Sequence, residues 1–177
     1  MTSASSAEGF TLAEALIVVA LIGILALAAV PVLGSRDATK LDLAAVEVGN
    51  ALRFAVNEAS RTGRYVLIDA SVPGRLAVVK SDASGANLGA ISDPLNKRAL
   101  ELDASASAWS GIAMAASFFQ GGTAYQQLLI GPALQLQVFD GATVRGPLQS
   151  GSGIALTLGS LTATVEIAEL TGRVRIP

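Results

Sequence analysis

One acidic side chain inside an apolar run near the N-terminus is the residue whose setting points most directly to chemistry. The run extends from Phe10 to Leu33, and Glu14 is its only charged residue. An ionisable residue in such a run is costly without a partner, so it indicates a function. A cut after Gly9 would place a cationic amine on Phe10, one helical turn from Glu14 and on the same face. Glu14 is therefore predicted to pair with that amine or with the amine of a neighbouring chain.

Two arginines near the C-terminus form the second candidate contact. Arg173 and Arg175 are separated by Val174, and Ile176 follows them. On a strand the two arginines share one face, so their guanidinium groups can meet successive phosphates of DNA or contact a partner protein. The alternative is that both side chains only solvate the outer face of a terminal strand and discourage pairing at its edge. The net charge of −2 favours this second interpretation.

The composition excludes most catalytic and metal chemistry. The 177 residues include no cysteine and no histidine, which removes thiolate catalysis, disulfides, histidine triads and nearly all zinc and copper sites. No calcium loop with the required acidic spacing is present, and no nucleophile stands beside a base. The glycine stretches Gln120–Gly122 and Ser150–Gly153 lie between strand-like segments, which predicts turns rather than phosphate loops. We therefore predict a protein that is not an enzyme and has no catalytic residue, cofactor or metal.

A long helix is the element that must position Glu14. At about 1.5 Å of rise per residue, the apolar run forms a helix of roughly 36 Å, enough to cross a hydrocarbon core of roughly 30 Å. After Pro31 the pattern becomes one-sided, and Thr62-Gly63 is a reasonable C-terminal stop. The sequence predicts a helix from about residue 10 to residue 62 that lies first in lipid and then against a protein layer. Its inward stripe comprises Leu41, Ala44, Ala45, Val48, Leu52, Ala55, Val56 and Ala59.

Beyond Gly63 the apolar period changes to two, which is typical of strands. Ser71–Gly74 is predicted to turn the first pair of strands, and Ser81–Pro94, rich in Gly, Ser, Asp and Asn, is predicted to be a long mobile loop without a core of its own. The predicted strands are Tyr65–Ala70, Arg75–Lys80, Ile112–Phe119, Leu134–Phe139, Ile154–Leu158, Leu161–Ala168 and Arg173–Ile176.

The segment Gly9-Phe10-Thr11-Leu12-Ala13-Glu14 resembles the N-terminus of type IV pilin-like proteins. The resemblance implies that a prepilin peptidase cuts after Gly9 and methylates the new amine of Phe10. It also implies that Glu14 recruits and registers subunits by pairing with the amine of a neighbour. Gly23 and Pro31 fall where this family has helix-weakening residues; Gly costs about 1 kcal/mol against Ala in a helix and Pro about 3, so that stretch could melt in a filament.

A second resemblance covers the C-terminal end. Leu161–Ile167, followed by Thr171–Ile176, is similar to the end of the H-type minor pseudopilins and of the related FimT-like minor pilins. The implied fold is α+β and pilin-like: a long N-terminal helix with a transmembrane first half, packed against a β-rich head of two antiparallel sheets. The predicted domains are a leader (1–9), a transmembrane half (10–33), an amphipathic periplasmic half (34–63) and a β-rich globular head (64–177).

The resemblance implies a minor pseudopilin of a type II secretion system, at or near the tip of the pseudopilus that exports folded proteins. Its expected partners are other major and minor pseudopilins, a prepilin peptidase, an inner-membrane assembly platform and secreted cargo. The expected localisation is the bacterial inner membrane, with a single pass and the C-terminal head in the periplasm. The alternative function is that of a FimT-like minor pilin that binds DNA through Arg173 and Arg175 during natural transformation.

Two other interpretations of the N-terminus stay open. Ala26-Leu27-Ala28 before Ala29 is typical of an ordinary signal-peptidase site, although residues 1–9 lack the basic residues of such a signal. The run is also compatible with a plain single-span anchor in which Glu14 sits at the interface. Arg36 and Lys40 would by charge counting lie in the cytoplasm, against the pilin orientation, and a start codon upstream of Met1 would remove this conflict.

Overall fold

The computed structural model describes residues 11–93, 97–106 and 109–177, with side chains for all of them except residues 26–35. The predicted leader and Phe10 lie outside this range. The elements are α1 (Leu12–Thr62), β1 (Tyr65–Asp69), β2 (Arg75–Ser81), β3 (Asn87–Ala90), β4 (Glu101–Asp103), β5 (Ala113–Gln120), β6 (Thr123–Tyr125), β7 (Gln127–Ile130), β8 (Leu136–Phe139), β9 (Val144–Pro147), β10 (Gly153–Leu158), β11 (Leu161–Ile167) and β12 (Val174–Arg175).

The chain divides into two compact units. The N-terminal unit, Met1–Asp37, contains the first part of α1. In this unit every described side chain from Thr11 to Leu25 is exposed. The C-terminal unit, Ala38–Pro177, contains the rest of α1 and all the strands.

The second part of α1 packs through the apolar stripe that the sequence predicts. All eight predicted positions are buried, and Ala51 joins them. Small alanines alternate with Leu and Val at this spacing, so the helix backbone can approach the sheets closely. The helix ends where Gly63 adopts a left-handed conformation, with φ of 65°, and its N–H donates to the carbonyl of Ala59 at 3.1 Å. Gly accepts this conformation without strain, which makes it a stop signal.

Two antiparallel sheets form the rest of the C-terminal unit. The first sheet has the order β3-β2-β1-β7-β8-β9, with β4 paired to the same edge of β2 as β3. The second sheet has the order β12-β11-β10-β5-β6. β1 and β2 form a hairpin around Ser71–Gly74, as predicted, and β10 and β11 form another around Gly159 and Ser160.

The main core lies between the two sheets and the helix stripe. Alternate strand residues point into it, because successive side chains on a strand face opposite sides. On β10 and β11 the inward residues are Ile154, Leu156, Val165 and Ile167, each at most 2% exposed. Phe118 on β5 is fully buried and is the largest of the fully buried side chains.

The outer face of the first sheet carries a second, smaller apolar cluster of Leu67, Val79, Leu129 and Phe139. The turn from residue 82 to 86 packs against it, since a Cβ on Gly85 would lie 2.5 Å from the Phe139 ring. The predicted long loop Ser81–Pro94 therefore has a defined structure in its described part: this turn, held over the sheet, followed by β3. The prediction of a segment without packing is wrong there, because an outward-facing apolar cluster needs a cover.

The fold class predicted from the sequence, an α+β pilin-like fold with a long N-terminal helix whose first half is transmembrane, is wrong. In the described parts of the chain, no helix combines the length and the apolar character that a membrane crossing requires. The architecture is a β-rich unit of two antiparallel sheets, in which residues 38–62 of α1 take part in the core.

The same finding overturns the predicted localisation, a single pass through the bacterial inner membrane with the C-terminal head in the periplasm. It also overturns the single-pass transmembrane helix that the sequence predicts within residues 10–33. The physical reason is that the prediction rested on the hydropathy of the run from Phe10 to Leu33 alone, and an apolar run of that length is a candidate for a crossing rather than proof of one.

Candidate functional site

Glu14 lies in the first turn of α1 and closes a capping box with Thr11. Its carboxylate oxygen Oε2 accepts the backbone N–H of Thr11 and the Thr11 hydroxyl, both at 2.9 Å. The Thr11 hydroxyl oxygen in turn accepts the backbone N–H of Glu14 at 3.3 Å. The pattern Thr-x-x-Glu thus satisfies two backbone N–H groups that the helix itself leaves without acceptors.

These hydrogen bonds change the electrostatics of Glu14. The Thr11 N–H, followed by the Thr11 hydroxyl, holds the pKa of the Glu14 carboxyl below its ordinary value. The carboxylate also lies at the helix N-terminus, where the macrodipole favours negative charge. Glu14 therefore carries its negative charge at an exposed helix end.

The side chains that follow Glu14 form an exposed apolar surface. They are large and aliphatic, and they occupy all sides of this part of the helix. Leu12 is 81% exposed and Leu25 is 69% exposed, so the surface is open at both described ends. Isolated exposed apolar side chains are ordinary, but a contiguous apolar surface marks an interaction site. The members are Leu12, Leu16, Ile17, Val18, Val19, Leu21, Ile22, Ile24 and Leu25.

The other predicted residues of the N-terminal site are placed as follows. Gly9 and Phe10 lie outside the described residues, so the predicted cleavage and methylation stay predictions. Gly23 and Pro31 lie within α1, which is helical through both positions. A Cβ added at Gly23 would meet no atom within 4 Å. The predicted melting of this stretch in a filament stays a prediction.

The two predicted arginines are positioned by the last strand. The chain enters β12 through Gly172, whose φ of 62° and close approach to Val56 both favour glycine. The guanidinium of Arg53 on α1 donates to the carbonyl of Val174 at 3.4 Å. Val174 points into the core, so Arg173 and Arg175 point outward together, as the sequence predicts.

Arg173 and Arg175 line one open pocket of about 380 Å³. Two carboxylates, Glu166 and Glu169, line the same pocket, and Leu170 lies at the turn between β11 and β12. Glu166 stands directly opposite Arg175 across the β11–β12 ladder. The remaining lining residues are Ser150, Gly151, Ser152, Ile167, Ala168 and Thr171. We call this surface the β11–β12 pocket.

The four charged side chains of the β11–β12 pocket make no ion pair in the described structure. Other charged residues of the described structure do form ion pairs, among them Arg61–Glu58, Arg75–Glu101 and Arg145–Asp140. The only contacts of the pocket's charged residues with hydrogen-bonding groups involve their backbones, as where the N–H of Arg173 meets the Thr171 hydroxyl at 3.4 Å. The pocket thus offers two positive and two negative groups to a ligand.

The described residues show no cluster suited to metal binding. No group of three or more acidic side chains in this part of the chain could hold a metal ion. The buried serine Ser152 forms hydrogen bonds with backbone groups. Its hydroxyl donates to the Gln149 carbonyl at 2.6 Å and accepts the Phe119 N–H at 2.9 Å. The arrangement supports binding through charged and apolar surfaces.

Sequence reasoning identified Glu14, Arg173 and Arg175 but missed their structural neighbours. Thr11 could have been predicted as the partner of Glu14. A Thr that is followed three residues later by Glu, just before an apolar run, is the signature of a capping box. Glu166 and Glu169 were not readable as pocket residues, since only the register of β11 with β12 brings them beside the arginines.

Comparisons of this chain with protein-family models, with curated proteins and with solved structures gave no match. The likeness to type IV pilin-like proteins therefore rests on the residues of the sequence alone.

Proposed function

We propose that this chain is a minor subunit of a pseudopilus-like filament that serves the export of folded proteins, and that it joins the filament through the first part of α1. The observation that carries the proposal is the exposed apolar surface of Leu12–Leu25, with one anionic side chain at its beginning. Such a surface requires a cover, and the equivalent helices of neighbouring subunits supply one of the same length and chemistry.

Glu14 fits the role of a registering residue in this assembly. Its carboxylate is already held as an anion by Thr11, so it can meet a cationic amine of a neighbouring subunit without reorganisation. A charge at the rim of an apolar contact contributes more to the alignment of neighbouring helices than to their affinity. A misaligned pair of helices leaves the charge without a partner. The proposed partners are other major and minor pseudopilins, with a prepilin peptidase that cuts before Phe10, and secreted cargo at the exposed sheets.

The test is incorporation of the full chain into filaments, with variants that separate the two roles of Glu14. Glu14→Gln keeps a hydrogen-bond acceptor for the capping box but removes the charge, whereas Glu14→Ala removes both. We expect both variants to lose incorporation while the C-terminal unit keeps its circular dichroism spectrum. Asp42→Ala, which removes an exposed acid from the same helix, is the matched control and should assemble normally.

The measurement is the amount of chain that sediments with sheared filaments from cells that also produce a major pseudopilin and a prepilin peptidase. Mass spectrometry of the N-terminus accompanies it, and the expected mature chain begins at N-methylated Phe10. Normal incorporation of Glu14→Gln would refute charge pairing as the registering interaction. A chain that begins at Ala29 would refute the whole proposal.

DNA capture remains the alternative prediction for Arg173 and Arg175. The β11–β12 pocket weakens its physical basis, because Glu166 and Glu169 lie beside the two arginines and repel a polyanion. Binding of DNA with a steep salt dependence, lost on replacing both arginines, would support it.

A further inference from the structure

The β11–β12 pocket combines three features that no part of the filament proposal uses. Its four charged side chains, Glu166, Glu169, Arg173 and Arg175, have no ionic partner in the described structure. At its rim Leu170 is 85% exposed, more than any other large apolar side chain described. The pocket itself is open, and its volume of about 380 Å³ is large enough to hold a leucine side chain.

These features are complementary to one another. The patch offers a projecting apolar side chain and a recess, and it offers equal numbers of positive and negative groups. A twofold contact places the same patch on both partners. The projecting side chain of one copy must therefore fit the recess of the other, and each charge must face an opposite charge from the same patch. Few surfaces satisfy this condition, since a recess needs a projection and each charge needs its opposite within the same small area.

We propose that a second copy of this chain docks on the β11–β12 pocket by a twofold contact. Leu170 of each copy enters the pocket of the other, and Glu169 of each copy pairs with Arg173 of the other. Glu166 and Arg175 lie opposite each other on neighbouring strands and complete the polar rim. This contact involves no residue of the apolar surface on α1, so it does not rest on the proposed function.

The charge balance selects a protein over a nucleic acid as the occupant. DNA presents only negative charge, and it would leave Glu166 and Glu169 facing phosphates. A second copy presents both signs, and every charge in the contact then has an opposite charge available. The contact area is that of one pocket and one hairpin turn, so the expected association is weak and is sensitive to salt.

The test is a charge exchange in the full chain, measured by sedimentation velocity. Glu169→Arg and Arg173→Glu each place like charges face to face in the homodimer, so we expect each variant alone to associate at least about tenfold more weakly than the natural chain. In an equal mixture of the two variants, each charge at position 169 meets the opposite charge at position 173 of the other variant. We therefore expect the mixture to associate as well as the natural chain. Association through α1 is the same in all samples and cancels in the comparison.

Cysteine cross-linking tests the geometry independently, because the natural chain has no cysteine. Copies that carry Glu169→Cys are mixed with differently tagged copies that carry Arg173→Cys and are oxidised mildly. We expect a disulfide between the two tags. Leu88→Cys, at an exposed position on β3, is the control and should not form one with itself.

Three outcomes would overturn the proposal. One is unchanged association of both single charge variants. Another is failure of the mixture to recover while each variant keeps the circular dichroism spectrum of the natural chain. The third is unchanged self-association together with salt-dependent binding of a short DNA duplex that Arg173→Glu abolishes, which would assign the surface to DNA.

Discussion

Aspartates at the ends of strands hold the turns of this protein. Asp69, Asp82, Asp103 and Asp140 each accept the backbone N–H of the residue two positions later, at 2.7 to 2.9 Å. Such bonds mimic a backbone turn and favour the charged carboxylate. The pKa of each of these four carboxyls is lowered, at Asp69 against the opposing effect of burial, and that of Asp140 falls from its ordinary 3.8 to about 2. In a chain without disulfides, these carboxylates fix the turns that follow the strands.

The strongest of these effects predicts a pH dependence of stability. The N–H groups of Thr143 and Ala142 and the guanidinium of Arg145 stabilise the Asp140 carboxylate in the folded state. The unfolded chain binds a proton at higher pH than the folded chain does. The contribution is therefore fully present above pH about 4 and is lost as the pH falls toward about 2. We expect the denaturant midpoint of the natural chain to fall over this interval.

Asp140→Asn should reduce that fall, because an amide keeps the turn but does not titrate. The measurement is urea unfolding at several pH values between about 2 and about 6, followed by tryptophan fluorescence from Trp109, the only tryptophan. Asp42→Asn, at an exposed position on α1, is the control. Identical pH profiles for Asp140→Asn and the natural chain would contradict the assignment. Part of the pH dependence of stability remains in Asp140→Asn as well as in the natural chain, because the pKa values of Asp69, Asp82 and Asp103 are also lowered.

The residues of the candidate sites were readable from the sequence where the signal is local. Glu14 stands out as a charge in an apolar run, and Arg173 and Arg175 stand out by alternation. Glu169 and Leu170 gave no signal, because an exposed leucine beside an acid is ordinary in a turn and gains meaning only from the pocket beside it.

At the level of elements, the strands with clear alternation were predictable and the others were not. The sequence predicts β1, β2, β5, β8, β10, β11 and β12 within a few residues of their bounds. It misses β3, whose four residues are all exposed, because no inward side chain marks a period. It also misses β7, since Leu128, Leu129 and Ile130 are buried on both faces and form a continuous apolar run. β4 and β6 have three residues each, too few to show a period, and β9 contains Gly146 and Pro147, residue types that are depleted in strands.

The turn over the first sheet gives a prediction at this scale. Gly85 has φ of 86°, and a Cβ there would lie 2.5 Å from the ring of Phe139. Gly85→Ala therefore adds backbone strain and overpacks the outer apolar cluster, and we expect a loss of about 1–3 kcal/mol in the free energy of unfolding.

The variant Gly121→Ala separates the effect of backbone strain from the effect of overpacking. Gly121 has φ of 60°, but an added Cβ would meet no atom within 4 Å. It should therefore show the backbone strain alone, a loss of about 1 kcal/mol. Urea unfolding of both variants checks the difference. Equal losses would mean that the turn moves away from Phe139 at no cost, and hence that it does not cover the cluster tightly.

The whole molecule consists of two units with different sources of stability. The C-terminal unit, Ala38–Pro177, has its own core of helix and sheet residues. The described side chains of the N-terminal unit from Thr11 to Leu25 are all exposed and contribute no core. The transmembrane prediction was wrong at this scale, because hydropathy alone does not establish what covers an apolar surface.

This division predicts that residues 38–177 fold without the N-terminal unit. Their buried helix stripe begins at Leu41, so the truncation removes none of the core side chains that the structure describes. We expect a cooperative thermal transition within about 3 °C of that of the C-terminal unit in the full chain. Differential scanning calorimetry of both forms is the measurement. A broad or absent transition in the shorter form would show that α1 needs its first part to remain helical.

The contact between the last strand and the helix has a kinetic consequence. Arg53 and Val174, which are joined by a hydrogen bond, are separated by 121 positions in the sequence. Contacts of such high sequence separation form slowly, because a long loop must close before they contribute. During synthesis the helix stripe emerges early, but β12 reaches it only after almost the whole chain has been translated. The apolar stripe of α1 therefore stays exposed on the growing chain. A chaperone that shields apolar helices would act on this protein before its final strand is made.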